Sequence, residues 1–102
     1  MADAYVALLV VHLHFPQAGS LKAKRKDLAS IKAQLQGRMG LAVAEVDHQD
    51  LWQRATLAGA LTSGSLPVLE RAVDRVEDFL TDRFPEGCRV ERTLRSFEEI
   101  SG

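Results

Sequence analysis

The stretch from Ala4 to Phe15 reads AYVALLVVHLHF and stops at Pro16, which has no amide hydrogen to give to a neighbouring strand. In an extended chain successive side chains point to opposite faces, so Ala7, Leu9, Val11 and Leu13 share one side and Val6, Leu8, Val10, His12 and His14 the other. Both sides are apolar for most of the length. That pattern predicts a central strand flanked by neighbours, because an edge strand with one face in water alternates between apolar and polar. The run is far short of the roughly 20 residues that a membrane-spanning helix needs, so no membrane role is expected.

The rest of the chain falls into alternating helical and extended segments. Ser20 is a good helix cap, and Leu21, Lys24, Leu28, Ile31 and Leu35 recur at the spacing of one helical stripe, with Gly37 and Gly40 bracketing the end. A second strand is predicted over Leu41 to Val46, a polar turn over Asp47 to Asp50, and a third strand within Trp52 to Thr62. Ser65 and Pro67 open a second helix, whose Leu69, Ala72, Val73, Val76, Phe79 and Leu80 face inward. After Pro85-Glu86-Gly87 the tail from Cys88 to Phe97 alternates poorly and carries Arg89, Glu91, Arg92 and Arg95, as a charged edge strand does.

Two strand-helix-strand units with right-handed crossovers put both helices on one face of a four-stranded antiparallel sheet, with the first and third strands at its centre. The expected fold is therefore an α+β, ferredoxin-like β-α-β-β-α-β sandwich, a single domain over residues 1–102. The face without helices offers Val6, Leu8 and Val10 from the first strand and Thr56, Ala58, Ala60 and Thr62 from the third. An apolar patch of this kind is seldom left bare by a monomer. A homodimer is one expectation, with Val6, Leu8, Val10, His12, Ala58 and Ala60 as its face.

Three stretches carry a family resemblance: Leu13-His14-Phe15-Pro16, Ser20-Leu21-Lys22-Ala23-Lys24-Arg25, and the segment from Ala44 to Ala55, AEVDHQDLWQRA. In these, and over nearly its whole length, the chain resembles the YlxP-like bacterial proteins, a family of unknown function with a ferredoxin-like fold. The resemblance implies a bacterial cytoplasmic protein from a family often encoded near translation and ribosome-maturation genes. It brings no catalytic residues. Relatives tend to carry a charged pair where this chain has Val10 and His12, so a wetted open sheet face is less expected here.

Composition narrows the function classes. Cys88 is the only cysteine, which rules out an internal disulfide, and the acidic Met1-Ala2-Asp3 start is unlike a basic signal segment, so a cytoplasmic location is expected. Net charge is only −1, yet residues 20–38 carry Lys22, Lys24, Arg25, Lys26, Lys32 and Arg38 against Asp27. That segment is +5 and the remainder −6. Cations in the first turns of a helix oppose its dipole, and phosphate binding is one reason for such a cluster. Structured RNA or the ribosome is accordingly the expected partner, held through Lys22, Arg25, Lys26, Arg38 and Arg54. The central strands lack the aromatic rings on which an RNA-recognition-motif sheet stacks bases, so contact through phosphate and shape is expected instead.

Lys24 lies on the core side of its helix, where an ammonium must reach water or meet an acid. A buried ion pair with Glu45 or Asp47 is expected. The polar hairpin of Asp47, His48, Gln49, Asp50 and Trp52 is a second candidate site, with Trp52 read as its apolar anchor and the polar residues as turn formers. His12 and His14 project from one face, but two ligands make a poor metal site, and His48 with Asp47 or Asp50 completes it only if the hairpin folds across. Neither a metal nor a cofactor is expected, no small-molecule substrate is identified, and no constellation marks a catalytic residue or an enzyme.

Overall fold

A computed structural model describes residues 3–102. The elements run β1 (Tyr5–His14), α1 (Leu21–Met39), β2 (Ala42–Asp47), β3 (Arg54–Ser63), α2 (Leu66–Arg83), β4 (Cys88–Ser96) and α3 (Phe97–Ser101). The four strands form one sheet in the order β2-β3-β1-β4, with every neighbouring pair antiparallel. β1 and β3 occupy the centre, as the two-sided apolar pattern of Ala4 to Phe15 requires.

The predicted alternation sets the burial. Ala7, Leu9, Val11 and Leu13 are buried, together with Ala55 and Leu57 of β3, against Leu28, Ile31 and Leu35 of α1 and Leu69, Val73, Val76 and Leu80 of α2. Burying each such leucine, isoleucine or valine contributes about 1.5–3 kcal/mol, so this layer between helices and sheet is where the fold is held. Both helices start at serine caps, Ser20 and Ser65, whose side chains accept from the backbone N–H groups of Ala23 and Val68. α1 runs through Gly37 and ends at Gly40, whose N–H donates to the Gln36 carbonyl and whose left-handed φ of +67° turns the Leu41 N–H back to the carbonyl of Leu35.

β3 begins at Arg54, inside the range expected for it, so Trp52 lies outside the strand. The departure from the sequence reading is the short helix α3 at the end of the chain, which no apolar stripe announces. α3 is defined by a capping box: the Ser96 hydroxyl accepts from the Glu99 N–H while the Glu99 carboxylate accepts from the Ser96 N–H. β4, the charged edge strand, is tied to α2 by Arg92, which donates to Asp74 at 2.9 Å and lies 3.4 Å from Glu77.

Candidate functional site

Lys24 is fully buried in the first turns of α1. Its Nζ donates to the backbone carbonyl of His48 at 2.7 Å and to Glu45 Oε2 at 3.4 Å. Of the two acids expected to meet it, Asp47 is the wrong one. The β2–β3 register shifts between Glu45 and Asp47: Glu45 stands opposite the buried Leu57, and Asp47 opposite Thr56 on the other side of β3. The bulged Val46 thus breaks the alternation that would have kept the two acids on one face, sending Glu45 to the helix side and Asp47 to the open side.

His48 then adopts a left-handed φ of +62°, an uncommon conformation for a residue with a side chain. Its carbonyl accepts from Lys24 Nζ and from the Leu51 N–H, its N–H donates to Asp47 Oδ1, and its Nδ1 lies 2.9 Å from the Thr56 hydroxyl. One residue therefore fastens the hairpin to the helix layer through its backbone and to the open sheet face through its ring. Trp52 does no anchoring: it is 50% exposed and outside the core cluster, because the chain only enters the sheet at Arg54. Gln49 and Asp50 are exposed turn residues beside it.

The basic residues divide between two layers. Lys22, Arg25, Lys26 and Arg38 are exposed along α1, and none of them, nor Lys32, has a carboxylate oxygen within 4 Å among the described residues. Arg54 is also unpaired, but it stands at the start of β3 opposite His14, a residue of the open-face row, so the sheet separates it from α1. The five candidate RNA contacts are thus not one patch. Lys22, Arg25 and Lys26 cluster at the helix entrance, Arg38 lies near the far end of a helix about 28 Å long, and Arg54 is on the opposite face.

On that opposite face Val6, Val10, Ala58 and Ala60 are half-buried, while Leu8 is 53% exposed beside a shallow dish of Ala42, Ala44, Ala58 and Ala60. Neither long helix covers them. His12 pairs with Glu91 of β4 at 2.9 Å. That hydrogen bond, followed by the nearby Arg89 guanidinium, holds the Glu91 carboxyl below the usual carboxylate range. Cys88 is half-buried, and burial, followed by the Glu77 carboxylate, pushes its thiol up, so it remains protonated at neutral pH and a weak nucleophile. No group of three or more His, Cys, Asp or Glu side chains among the described residues is placed to hold a metal ion. Arg89 and Gly87, which adjoin the histidines here, were not expected as site residues, and Thr56 was expected only as part of the open sheet face. Their signal is the strand register, which sets His12 opposite both Thr56 and Arg89.

Residues 6–93 match the family described as "Protein of unknown function (DUF503)". The chain is also 38% identical over 81 residues to the uncharacterized protein YlxP of Bacillus subtilis, covering 79% of this chain and 84% of that one. The chain belongs to the YlxP-like DUF503 family. Its fold is shared by the de novo designed protein Foldit4, with a TM-score of 0.62 at 11% identity over 91% of this chain and 97% of that one. Ribosomal protein S6 of the 30S subunit of Thermotoga maritima is more distant, with a TM-score of 0.48 at 12% identity over 89% and 88% of the two chains. In this YlxP-like chain, the quoted segment from Ala44 to Ala55 comprises the bulge, the hairpin and the entry to β3.

Proposed function

We propose that this chain is a non-enzymatic, cytoplasmic binding protein that contacts structured RNA, in the ribosome or during its assembly, through the basic entrance of α1. The observation that carries the reading is the set of free cations. Lys22, Arg25 and Lys26 are exposed in the first turns of α1 with no acidic partner among the described residues, in a chain whose segments outside residues 20–38 sum to −6. Unpaired cations beside a helix N-terminus favour phosphate, since the side chains and the helix dipole act on the same anion. Lys24 holds this turn against the hairpin, so the cations are presented from a fixed element. Filter binding to ribosomal RNA across a salt series tests it. Three phosphate contacts give a log-log slope of about −2 to −3, and replacing Lys22, Arg25 and Lys26 together with glutamine flattens it. Undetectable binding, or a slope unchanged in the triple variant, overturns the reading.

A second reading rests on Leu8. A large apolar side chain standing out beside an alanine dish is self-complementary: across a two-fold axis, Leu8 of each copy fits the dish of the other. A homodimer through the open sheet faces leaves α1 accessible, so the two readings are compatible.

A further inference from the structure

At the end of the open sheet face where β1 finishes, His12, His14, His48, Arg54, Thr56 and Arg89 surround a cleft of about 560 Å³. Its making is set by register. Arg54 pairs with His14 across β3 and β1, and Thr56 and Arg89 flank His12 on β3 and β4. The two arginines thus rise from the strands on either side of β1, their backbones about 12 Å apart on a diagonal across the sheet, with the imidazoles between them. Gly87 keeps the floor low. The His14 N–H donates to its carbonyl at 2.8 Å, and a Cβ there would lie 2.9 Å from His14 Cβ and 3.0 Å from its carbonyl oxygen.

No carboxylate lines the cleft. Glu91 adjoins it and is shared between His12 and Arg89, while Asp47 sits 3.9 Å from His48 Nε2 and is 70% exposed. Arg54 has no acid at all among the described residues. A concave site flanked by two guanidiniums, with imidazole and hydroxyl groups beneath, matches a phosphate group, whose oxygens accept from planar arginine forks. The volume lies within the range of small-molecule sites and exceeds what a bare phosphate fills.

We propose that this cleft binds a phosphate group carried by a nucleotide-sized ligand, either a free mononucleotide or the 5′ end of an RNA strand. The site is separate from the α1 surface and does not rest on it.

Imidazole and amide resonances of the full chain, followed during titration with inorganic phosphate, adenosine, adenosine 5′-monophosphate, and a short oligoribonucleotide with and without a 5′-phosphate, test the proposal. Saturable shifts at His12, His14 and Thr56 are expected with the phosphorylated ligands and not with adenosine. A response to the mononucleotide identifies a free nucleotide as the source, and a response confined to the 5′-phosphorylated strand identifies an RNA end. Arg54→Gln and Arg89→Gln should each weaken binding about tenfold, whereas Arg75→Gln on α2 should not. Both arginines are exposed, so an unchanged spectrum away from the cleft verifies the fold of each variant. Absence of saturable shifts with every phosphorylated ligand, equal shifts with adenosine, or affinity retained in the double arginine variant overturns the proposal.

Discussion

Lys24 combines two costs that seldom coincide: it removes an ammonium from water, and it adds a cation to the wrong end of a helix. The interactions that offset them are a strong hydrogen bond to the His48 carbonyl and a longer contact to Glu45, whose side chain keeps 22% of its exposure. The two partners are therefore unequal. If Lys24→Met removes the ammonium, Glu45 can turn to water and the His48 carbonyl still accepts from Leu51, so the loss should be about 1 kcal/mol. If Glu45→Ala removes the carboxylate, a wholly buried cation is left with one neutral acceptor, and the loss should be about 2–3 kcal/mol. Urea unfolding of the two variants checks the order. A larger loss for Lys24→Met would mean that the lysine's packed stem, not its charge, is what the fold uses.

The short helix α3 is the element with least packing, since every one of its residues is exposed, and its definition rests on the Ser96–Glu99 box. The Ser96 backbone N–H, then the Ser96 hydroxyl, and more weakly Arg95, hold the Glu99 carboxyl below the usual carboxylate range. A carboxyl lowered on folding contributes fully above its unfolded pKa and loses its contribution as pH falls through the folded value. α3 should therefore fray in acid, below the ordinary glutamate range, while α1 and α2 persist. Amide exchange at Ser96 and Glu99 followed from neutral pH downward measures this. Glu99→Gln, whose amide oxygen still accepts from the Ser96 N–H, should abolish the pH dependence, and Glu99→Ala should fray α3 at neutral pH. The same scale explains the missed boundary. A five-residue helix has too few turns to display an apolar stripe, so its only signal is Ser96 followed by Glu99 three residues later.

As a whole the molecule is an elongated two-layer body of 51 × 24 × 21 Å, its shortest dimension that of one sheet and one layer of helices. The core of the described residues lies between those layers, on the face of the sheet that α1 and α2 cover. The homodimer proposed through the open sheet face belongs to the whole-molecule scale, because it needs that face and the protruding Leu8 together. The parent should scatter light as a dimer at micromolar concentration. Leu8→Lys should yield a monomer with unchanged helix content, since Leu8 contributes nothing to the core. A monomeric parent at high micromolar concentration would remove this assembly and leave the α1 reading untouched.

The order of elements, the central place of β1, both serine caps and the burial of Lys24 were legible in the linear chain. Each follows from a local period or a local hydrogen bond that no distant residue can change. Which acid meets Lys24 was not legible, because one bulged residue at Val46 reverses the side on which everything after it falls, and a bulge is settled by the packing of both strands. That His12 and His14 share a face was legible, and His48 was a conditional third, but their meeting with Arg54 and Arg89 was not: these residues come from four strand ends, and only the pairing register makes them neighbours. Periodicity tells a chain which side chains go inward, whereas long-range pairing alone decides which of the outward ones meet.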